Sequence, residues 1–236
     1  MVIMSVYACS DIHGNGKLWN KIKDFLNPDD ILYYLGDAAD RGPDGWAILK
    51  EMLNDKRIIY IAGNHDIMLA NRIRNPNNYR IANLHHSNGG FHTWEAAEND
   101  PEAKEIMVKI HELPKYAVYE NANELKIFMS HSGSTNIDSD YDLIWDRSEY
   151  ISTKNYSDYD VIVHGHTTIP HLIEDLEDVH HFYFQDNEEE AFKCLEWESG
   201  AYWYHGNRCD IDCCTILTEQ TVLLNLDTFD EEIFEL

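Results

Sequence analysis

The chain has 236 residues, and 43 acidic against 18 basic side chains give it a formal net charge of −25 with histidine neutral. A chain of this length can bury one substantial core and does not require a second one, so we expect a single domain over residues 1–236. Its acidic surface repels nucleic-acid backbones and anionic membranes, and no run of lysine or arginine offsets that charge. We therefore expect neither nucleic acid nor a membrane as a partner, and the oligomeric state is left open.

The N-terminal segment and the cysteines indicate the compartment. Residues 2–9 are largely apolar but follow no basic stretch, and no apolar run is long enough to cross a bilayer. The five cysteines are odd in number and unevenly spaced, which favours reduced thiols in the cytoplasm. Cys209, Cys213 and Cys214 match no zinc spacing, so we interpret them as small buried apolar residues.

The first 70 residues repeat one pattern, in which an apolar run is followed by a turn rich in Gly and Asp and then by an amphipathic segment. The runs predict strands at Val2–Cys9, Ile31–Leu35 and Ile58–Ala62. Apolar residues recur at helical spacing over residues 18–26, and a second helix is predicted for Asp44–Leu53. Strands that alternate with helices imply parallel strands in an α/β layer.

Helices come first in the rest of the chain, and short strands follow. Residues 67–113 are predicted to be mostly helical, with two breaks at turns rich in Asn and Gly. Three short apolar runs are then predicted to be strands, and the first two form a hairpin: Tyr116–Tyr119, Leu125–Met129 and Val161–Val163. The acidic run Asp186–Glu190 is interpreted as a solvated loop.

Side chains that commonly bind metals follow five of the six predicted strands, all except Tyr116–Tyr119. In α/β folds, ligands bind at the loops beyond the carboxyl ends of the strands. Each motif alone is compatible with an ordinary turn or a hydrogen-bonded histidine, but random placement would put some of them inside helices. The residues are Asp11, His13, Asp37, Asp40, Arg41, Asn64, His65, His131, His164 and His166.

The mixture of carboxylate and imidazole indicates the kind of metal. Such ligands suit Mn, Fe or Zn, whereas Mg and Ca sites favour oxygen alone. Asp37 is placed centrally among the motifs, where one carboxylate can bridge two cations. The pattern therefore predicts a two-metal site of the kind that clamps a phosphoryl group.

Three motifs carry a resemblance to a known family: DIHG at residues 11–14, GDAADRG at 36–42 and GNHD at 63–66. Together they resemble the calcineurin-like metallophosphoesterase superfamily, and more narrowly the bacterial and phage form of its phosphoprotein phosphatase branch. NGG at 88–90 with Thr93, WDR at 145–147 and HGHT at 164–167 strengthen the narrower resemblance. The family usually has Glu where this chain has Asp66 and Val where it has Ala39, and it has a different pattern at 130–133. None of these departures removes a ligand.

The resemblance implies a fold and a ligand set. The fold is a four-layer α/β/β/α sandwich of two mixed sheets. Two divalent cations are implied, with manganese expected and iron or zinc as alternatives. Thr168 stands where many superfamily members have a further metal-binding histidine, so water would complete metal 1, and His164 is left outside the ligand set. Metal 1 would be held by Asp11, His13 and Asp37, and metal 2 by Asp37, Asn64, His131 and His166.

The resemblance also implies a mechanism, in which a metal-bridging hydroxide attacks phosphorus in line. His65 would be the general acid that protonates the leaving group, and Asp40 would orient it and raise its pKa. Arg41 and Arg147 would hold phosphate oxygens.

Three functions are compatible with the motifs. The first is hydrolysis of phosphomonoesters, most simply as a serine/threonine protein phosphatase, with a phosphoprotein or a small phosphoester as substrate. The alternative is a symmetrical dinucleoside polyphosphate hydrolase that acts on diadenosine tetraphosphate. A binding protein without turnover would be expected to lack a ligand or His65, and this chain has them all.

Overall fold

Two five-stranded mixed sheets form the centre of the structure, a computed structural model that describes residues 4–147, 158–174, 197 and 199–236. The first sheet has the order β10-β9-β1-β2-β3, and the second has the order β4-β5-β6-β8-β7. In chain order the elements are β1 Val6–Cys9, α1 Gly16–Phe25, β2 Ile31–Tyr34, α2 Gly45–Met52, β3 Ile58–Tyr60, α3 Asn64–Arg74, α4 Tyr79–Ser87, α5 Phe91–Ala97, α6 Ala103–Glu112, β4 Tyr116–Glu120, β5 Lys126–Ser130, α7 Asp140–Trp145, β6 Val161–His164, β7 Tyr202–Tyr204, β8 Arg208–Asp210, α8 Thr215–Thr218, β9 Gln220–Asn225 and β10 Glu231–Glu235. Residues 169–174 are also helical.

Parallel pairing brings the site-bearing strand ends to one edge of each sheet. In the first sheet β2 pairs in parallel with β1 and β3, as the strand and helix alternation predicts, and β9 and β10 are antiparallel additions. In the second sheet β6 pairs in parallel with β5 and β8, and the predicted hairpin of β4 and β5 is confirmed.

Successive side chains of each strand point to opposite faces of the sheet, and this divides the core into layers. Ile127 and Met129 of β5 belong to the cluster between the two sheets, together with residues such as Ala8 and Leu224. Phe128 lies on the opposite face and packs with the α7 residue Leu143. On the outer face of the first sheet, apolar side chains of α1, α2, α3 and α6 pack against strand residues. The resulting α/β/β/α order confirms the fold expected from the resemblance.

The structure differs from the sequence prediction at the start of helix α3 and in the presence of helix α7. Helix α3 begins at Asn64 rather than near residue 67, because the Asp66 carboxylate accepts a hydrogen bond of 3.0 Å from the Gly63 backbone N–H and closes the first turn. The periodicity did not reveal this turn because its first residues are polar. Helix α7, with the short sequence DYDLIW, was not predicted. The acidic run 186–190 lies outside the described residues.

The described cysteines are free thiols. Cys9, Cys209 and Cys213 are buried, and Cys214 is half-buried. Within the described residues, the groups that could hold a metal ion contain no cysteine. None of the helices in this part of the chain has the length and apolar character needed to cross a membrane.

Candidate active site

Six predicted ligands converge where the strand ends of the two sheets meet. Asp11 and His13 follow β1, Asp37 follows β2, and Asn64 begins the helix after β3. His131 and His166 follow β5 and β6 of the second sheet, and the Gly165 N–H donates to the His131 carbonyl oxygen at 3.0 Å. All six are buried, the most exposed being His166 at 8%.

Asp37 occupies the centre of this group. Its Oδ2 lies 3.4 Å from His131 Nε2, 3.8 Å from His13 Nε2 and 3.9 Å from His65 Nε2. Two sets of ligand atoms fall within 4.8 Å of one another, and both include Asp37: one with His13 and His65, the other with Asp11 and His131. A carboxylate shared by two such sets is placed as a bridging ligand requires.

Backbone carbonyls fix the orientation of two of the histidines. His131 Nδ1 donates to the Leu35 carbonyl oxygen at 2.7 Å, and His13 Nδ1 donates to that of Ala39 at 3.0 Å. In the neutral form of each ring, the lone pair of Nε2 therefore faces the site. His13 Nε2 is buried and has no hydrogen-bond partner. A bound cation would satisfy this atom, so the residues fit a metal centre.

Asn64 joins the remaining ligands. Its Oδ1 lies 3.0 Å from His131 Nε2 and 3.2 Å from His166 Nδ1. The structure therefore brings together the four residues predicted to hold metal 2, with both histidines close to Asn64 Oδ1 and His131 also close to the Asp37 carboxylate. The nitrogen and oxygen donors suit borderline divalent metals.

Burial and neighbouring charges shift the pKa values of these groups, and nearby carboxylates, Asp37 foremost, outweigh burial and raise the pKa of His131 to about 10. Burial raises the pKa of Asp37, but His131 and His65 lower it more strongly and hold it well below its usual value. Burial lowers the pKa of His166 to about 3, and it also lowers the pKa of His13. Both imidazoles are therefore unprotonated near neutral pH, which is the form that binds metals.

The predicted acid and its partner form a close pair beside Asp37. His65 Nδ1 lies 2.9 Å from Asp40 Oδ2, and both side chains are buried. Arg41 Nη2 is 3.3 Å from His65 Nε2, and Arg147 Nε is 3.2 Å from His166 Nε2. Both arginines are exposed, so their guanidinium groups reach the site from the solvent side.

Strained backbone marks this region. Six of the ten predicted site residues have left-handed φ angles although none is glycine, namely Asp11, His13, Asp37, Asp40, Arg41 and His166. Such conformations cost about 1–3 kcal/mol each and cluster at functional sites. Here they turn side chains sharply away from the strand direction and toward the site.

The NGG and Thr93 motif supports the segment that carries Asp40 and Arg41. The Arg41 N–H donates to the Gly89 carbonyl oxygen at 2.9 Å, and the Asp40 N–H donates to Thr93 Oγ1 at 2.9 Å. The motif in the sequence does not include the buried His85 just before it, whose Nε2 lies 2.9 Å from Asp40 Oδ1. Two adjacent histidines on a helix gave no signal that one of them faces the site.

His164 lies apart from the ligand atoms. Its Nε2 is 2.6 Å from the Tyr204 hydroxyl, and its Nδ1 is 3.0 Å from the Gly165 carbonyl oxygen. Burial lowers the pKa of His164 to about 3. Both ring nitrogens therefore have partners outside the candidate metal centre.

Comparison with known proteins decides the family. The calcineurin-like phosphoesterase model matches residues 4–170, which is more than half of the chain. The chain belongs to the calcineurin-like phosphoesterase family. The matched range contains every predicted site residue.

Curated relatives of this calcineurin-like phosphoesterase carry two different names. It is 30% identical over 163 residues to the symmetrical bis(5'-nucleosyl)-tetraphosphatase of Buchnera aphidicola, a match that covers 66% of this chain and 55% of that protein. It is 28% identical over 133 residues to serine/threonine-protein phosphatase 2 of Escherichia coli, which covers 54% of this chain and 57% of that protein. The chain thus spans little more than half the length of these relatives.

Solved structures share the fold of this calcineurin-like phosphoesterase. A metallophosphoesterase from Sphaerobacter thermophilus aligns with a TM-score of 0.59 at 14% identity, covering 98% of this chain and 86% of that one. A protein serine/threonine phosphatase from Saccharomyces cerevisiae aligns with a TM-score of 0.58 at 14% identity, covering 99% and 80%. At this level of identity the likeness shows the fold alone.

Proposed function

We propose that this chain hydrolyses phosphomonoesters, with phosphoserine and phosphothreonine in proteins as its substrate class. The observation that carries the proposal is the buried pair of His65 and Asp40, 2.9 Å apart. An alcohol leaves phosphorus as a strongly basic alkoxide and needs a proton, whereas a nucleotide leaves as a phosphate with a second pKa of about 6. A held imidazole supplies that proton to the alkoxide.

Local charges suit His65 to this task. Burial lowers the pKa of His65, but the carboxylates of Asp37 and Asp40 outweigh burial and raise it. Burial raises the pKa of Asp40, but hydrogen bonds from His65 and His85 lower it. The imidazole is therefore more readily protonated than a free histidine, and its partner stays ionised.

We assign one cation to Asp11, His13 and Asp37, and the other to Asp37, Asn64, His131 and His166. Manganese is the cation that we propose. When bound, divalent cations supply Lewis-acid charge to phosphoryl oxygens and acidify water.

The arginines would bind the phosphate. The guanidinium group of Arg41 lies beside His65 Nε2, and that of Arg147 lies beside His166. Their planar donor groups match two phosphate oxygens at once. A phosphate held between them would lie next to the nitrogen that carries the proton.

Removal of metal tests the cofactor assignment. Protein stripped with a chelator is expected to lose activity on p-nitrophenyl phosphate and to regain it when Mn²⁺ is added. Full activity in the stripped protein, with no metal found by mass spectrometry, would contradict the two-metal assignment.

His65→Asn tests the role of the acid. We expect the variant to keep its bound manganese and to lose about 10²- to 10⁴-fold in kcat on phenyl phosphate, a poor leaving group. The loss on p-nitrophenyl phosphate should be much smaller, because p-nitrophenolate hardly needs a proton. The exposed His92→Asn is the matched control and should behave like the unmodified protein. Equal losses on the two substrates would show that His65 is not the acid.

A second candidate function is symmetrical hydrolysis of dinucleoside tetraphosphates, which the name of the Buchnera aphidicola relative favours. Rates on phosphoserine peptides and on diadenosine tetraphosphate, measured side by side at equal concentration, discriminate the two. A clear preference for the peptide is expected. A preference for the nucleotide would replace the first proposal by the second.

A further inference from the structure

Asp40 joins two buried histidines through its two carboxylate oxygens. Its Oδ2 lies 2.9 Å from His65 Nδ1, and its Oδ1 lies 2.9 Å from His85 Nε2. Asp40 and His85 are both 0% exposed. The site motifs in the sequence include Asp40 and His65 but leave His85 without a role.

The hydrogen on His85 has only one position that satisfies its neighbours. Arg72 Nη1 lies 3.2 Å from His85 Nδ1, and a guanidinium group can only donate. His85 Nδ1 therefore accepts, and the single hydrogen of the imidazole is on Nε2, which faces Asp40. Arg72 is itself held in place over the ring of Trp94, 4.2 Å from its centroid.

Packing fixes the ring of His85 in this orientation. The Gly90 N–H donates to the His85 carbonyl oxygen at 2.9 Å, and a Cβ added at Gly90 would collide with the imidazole ring. Glycine at this position therefore leaves the space that the ring fills. The hydrogen bonds run in one direction, from Arg72 to His85 to Asp40.

We propose that His85 is a positioning residue for His65. Its Nε2–H holds Asp40 Oδ1, which turns Oδ2 toward His65 Nδ1 and leaves His65 Nε2 for the leaving group. The inference rests on the proposed function, because it assigns His85 to the acid of that reaction. Without His85, one oxygen of a buried carboxylate loses its donor and the carboxylate is no longer held against His65.

Leaving-group dependence tests this role in the full-length protein. His85→Phe is expected to lower kcat on phenyl phosphate by about ten- to a hundred-fold, the effect of losing a hydrogen bond to a charged group, with a much smaller change on p-nitrophenyl phosphate. His85→Gln should recover most of the rate, because its amide nitrogen can donate from a similar position. His86→Phe, at the exposed neighbour on the same helix, should change neither rate. Equal losses on both substrates, or a Gln variant as slow as Phe, would overturn the proposal.

A double mutant separates this inference from the proposed function. In the His65→Asn background, His85→Phe should cause no further loss on phenyl phosphate, since it acts through His65. An additive loss would refute the positioning role. If His65→Asn itself shows no leaving-group dependence, the acid assignment fails, and the inference fails with it. If only the His85 variants lack that dependence, the inference alone fails.

A spectroscopic measurement needs no turnover. In ¹⁵N-labelled protein, two-bond ¹H–¹⁵N spectra of the histidine rings should show His85 with its hydrogen on Nε2. Arg72→Met, which keeps His85 in place if His85→Phe does not fold, should mix the two tautomers and lower kcat on phenyl phosphate. A hydrogen on Nδ1 in the unmodified protein, or no change in Arg72→Met, would refute the proposal.

Discussion

Asp66→Ala is expected to be among the most destabilising single substitutions in the site region. The side chain is 0% exposed and accepts three hydrogen bonds, all of 3.0 Å. Its Oδ2 accepts from the backbone N–H groups of Asp37 and Gly63, and its Oδ1 accepts from the Tyr60 hydroxyl. One carboxylate thus ties the start of helix α3 to the turn that presents Asp37.

The expected loss follows from the donors left without a partner. Each buried donor that loses its acceptor costs about 1–2 kcal/mol, so three donors give about 3–6 kcal/mol in the free energy of unfolding. That is a large part of the about 5–15 kcal/mol typical of a folded domain. Asp66→Asn keeps an oxygen for both N–H groups and loses only the acceptor for Tyr60, so it should cost about 1–2 kcal/mol.

Urea unfolding followed by tryptophan fluorescence measures these differences. The free energies of unfolding are compared with one common m-value, the slope of the free energy against urea concentration. Asp29→Ala, at an exposed carboxylate, is the control and should stay within about 0.5 kcal/mol of the unmodified protein. A loss below about 1 kcal/mol for Asp66→Ala would refute the reasoning, because the three hydrogen bonds would then contribute little.

Two further substitutions probe the strand ends and the pH dependence. Gly63→Ala would place a Cβ against Asp37 Oδ1 and should weaken Mn²⁺ binding measured by calorimetry. The control is Gly206→Ala, whose Cβ meets nothing within 4 Å and which should bind Mn²⁺ normally. Equal affinities of the two variants would show that a Cβ at residue 63 does not disturb Asp37. Burial raises the pKa of Asp30, but hydrogen bonds from Ser5 and Asn27 lower it overall. The ionised Asp30 therefore stabilises the folded protein above the unfolded pKa of about 3.9. This stabilisation is lost as the pH falls through the lowered pKa of the folded state. Asp30→Asn should therefore destabilise the protein at pH 7 in urea unfolding by about 1–2 kcal/mol, with the difference shrinking below about pH 4; a constant difference would contradict the linkage.

Sequence reasoning predicted the parallel strands and where the ligands follow them. Buried runs such as Ile31–Leu35 are short, apolar and bounded by Gly and Asp. Neighbouring residues alone therefore predict that such a run is a strand and roughly where it ends. The same reasoning placed Asp11 and His131 at strand ends, although they come from different sheets. The convergence of those ends in space depends on how the two sheets face each other.

The start of helix α3 shows why boundaries near a site are harder to predict. Asn64 and His65 are helical in the structure, yet neither supplies the apolar face on which periodicity depends. Their turn is stabilised by Asp66, whose carboxylate also accepts from the backbone N–H of Asp37 in a different loop. No local pattern in the sequence contains that contact.

The sequence by itself determined the types of the candidate ligands, their order along the chain and the strands that carry them, because residue chemistry and apolar periodicity are local properties. Only the tertiary structure decided which atoms meet. The Asp37 carboxylate belongs to two groups of side chains that could hold a metal ion, because loops from both sheets end around it. His85 faces Asp40 rather than solvent because helix α4 packs there, and its neighbour His86 remains exposed. Contacts between segments distant along the chain decide such roles, and they exist only once the chain is folded.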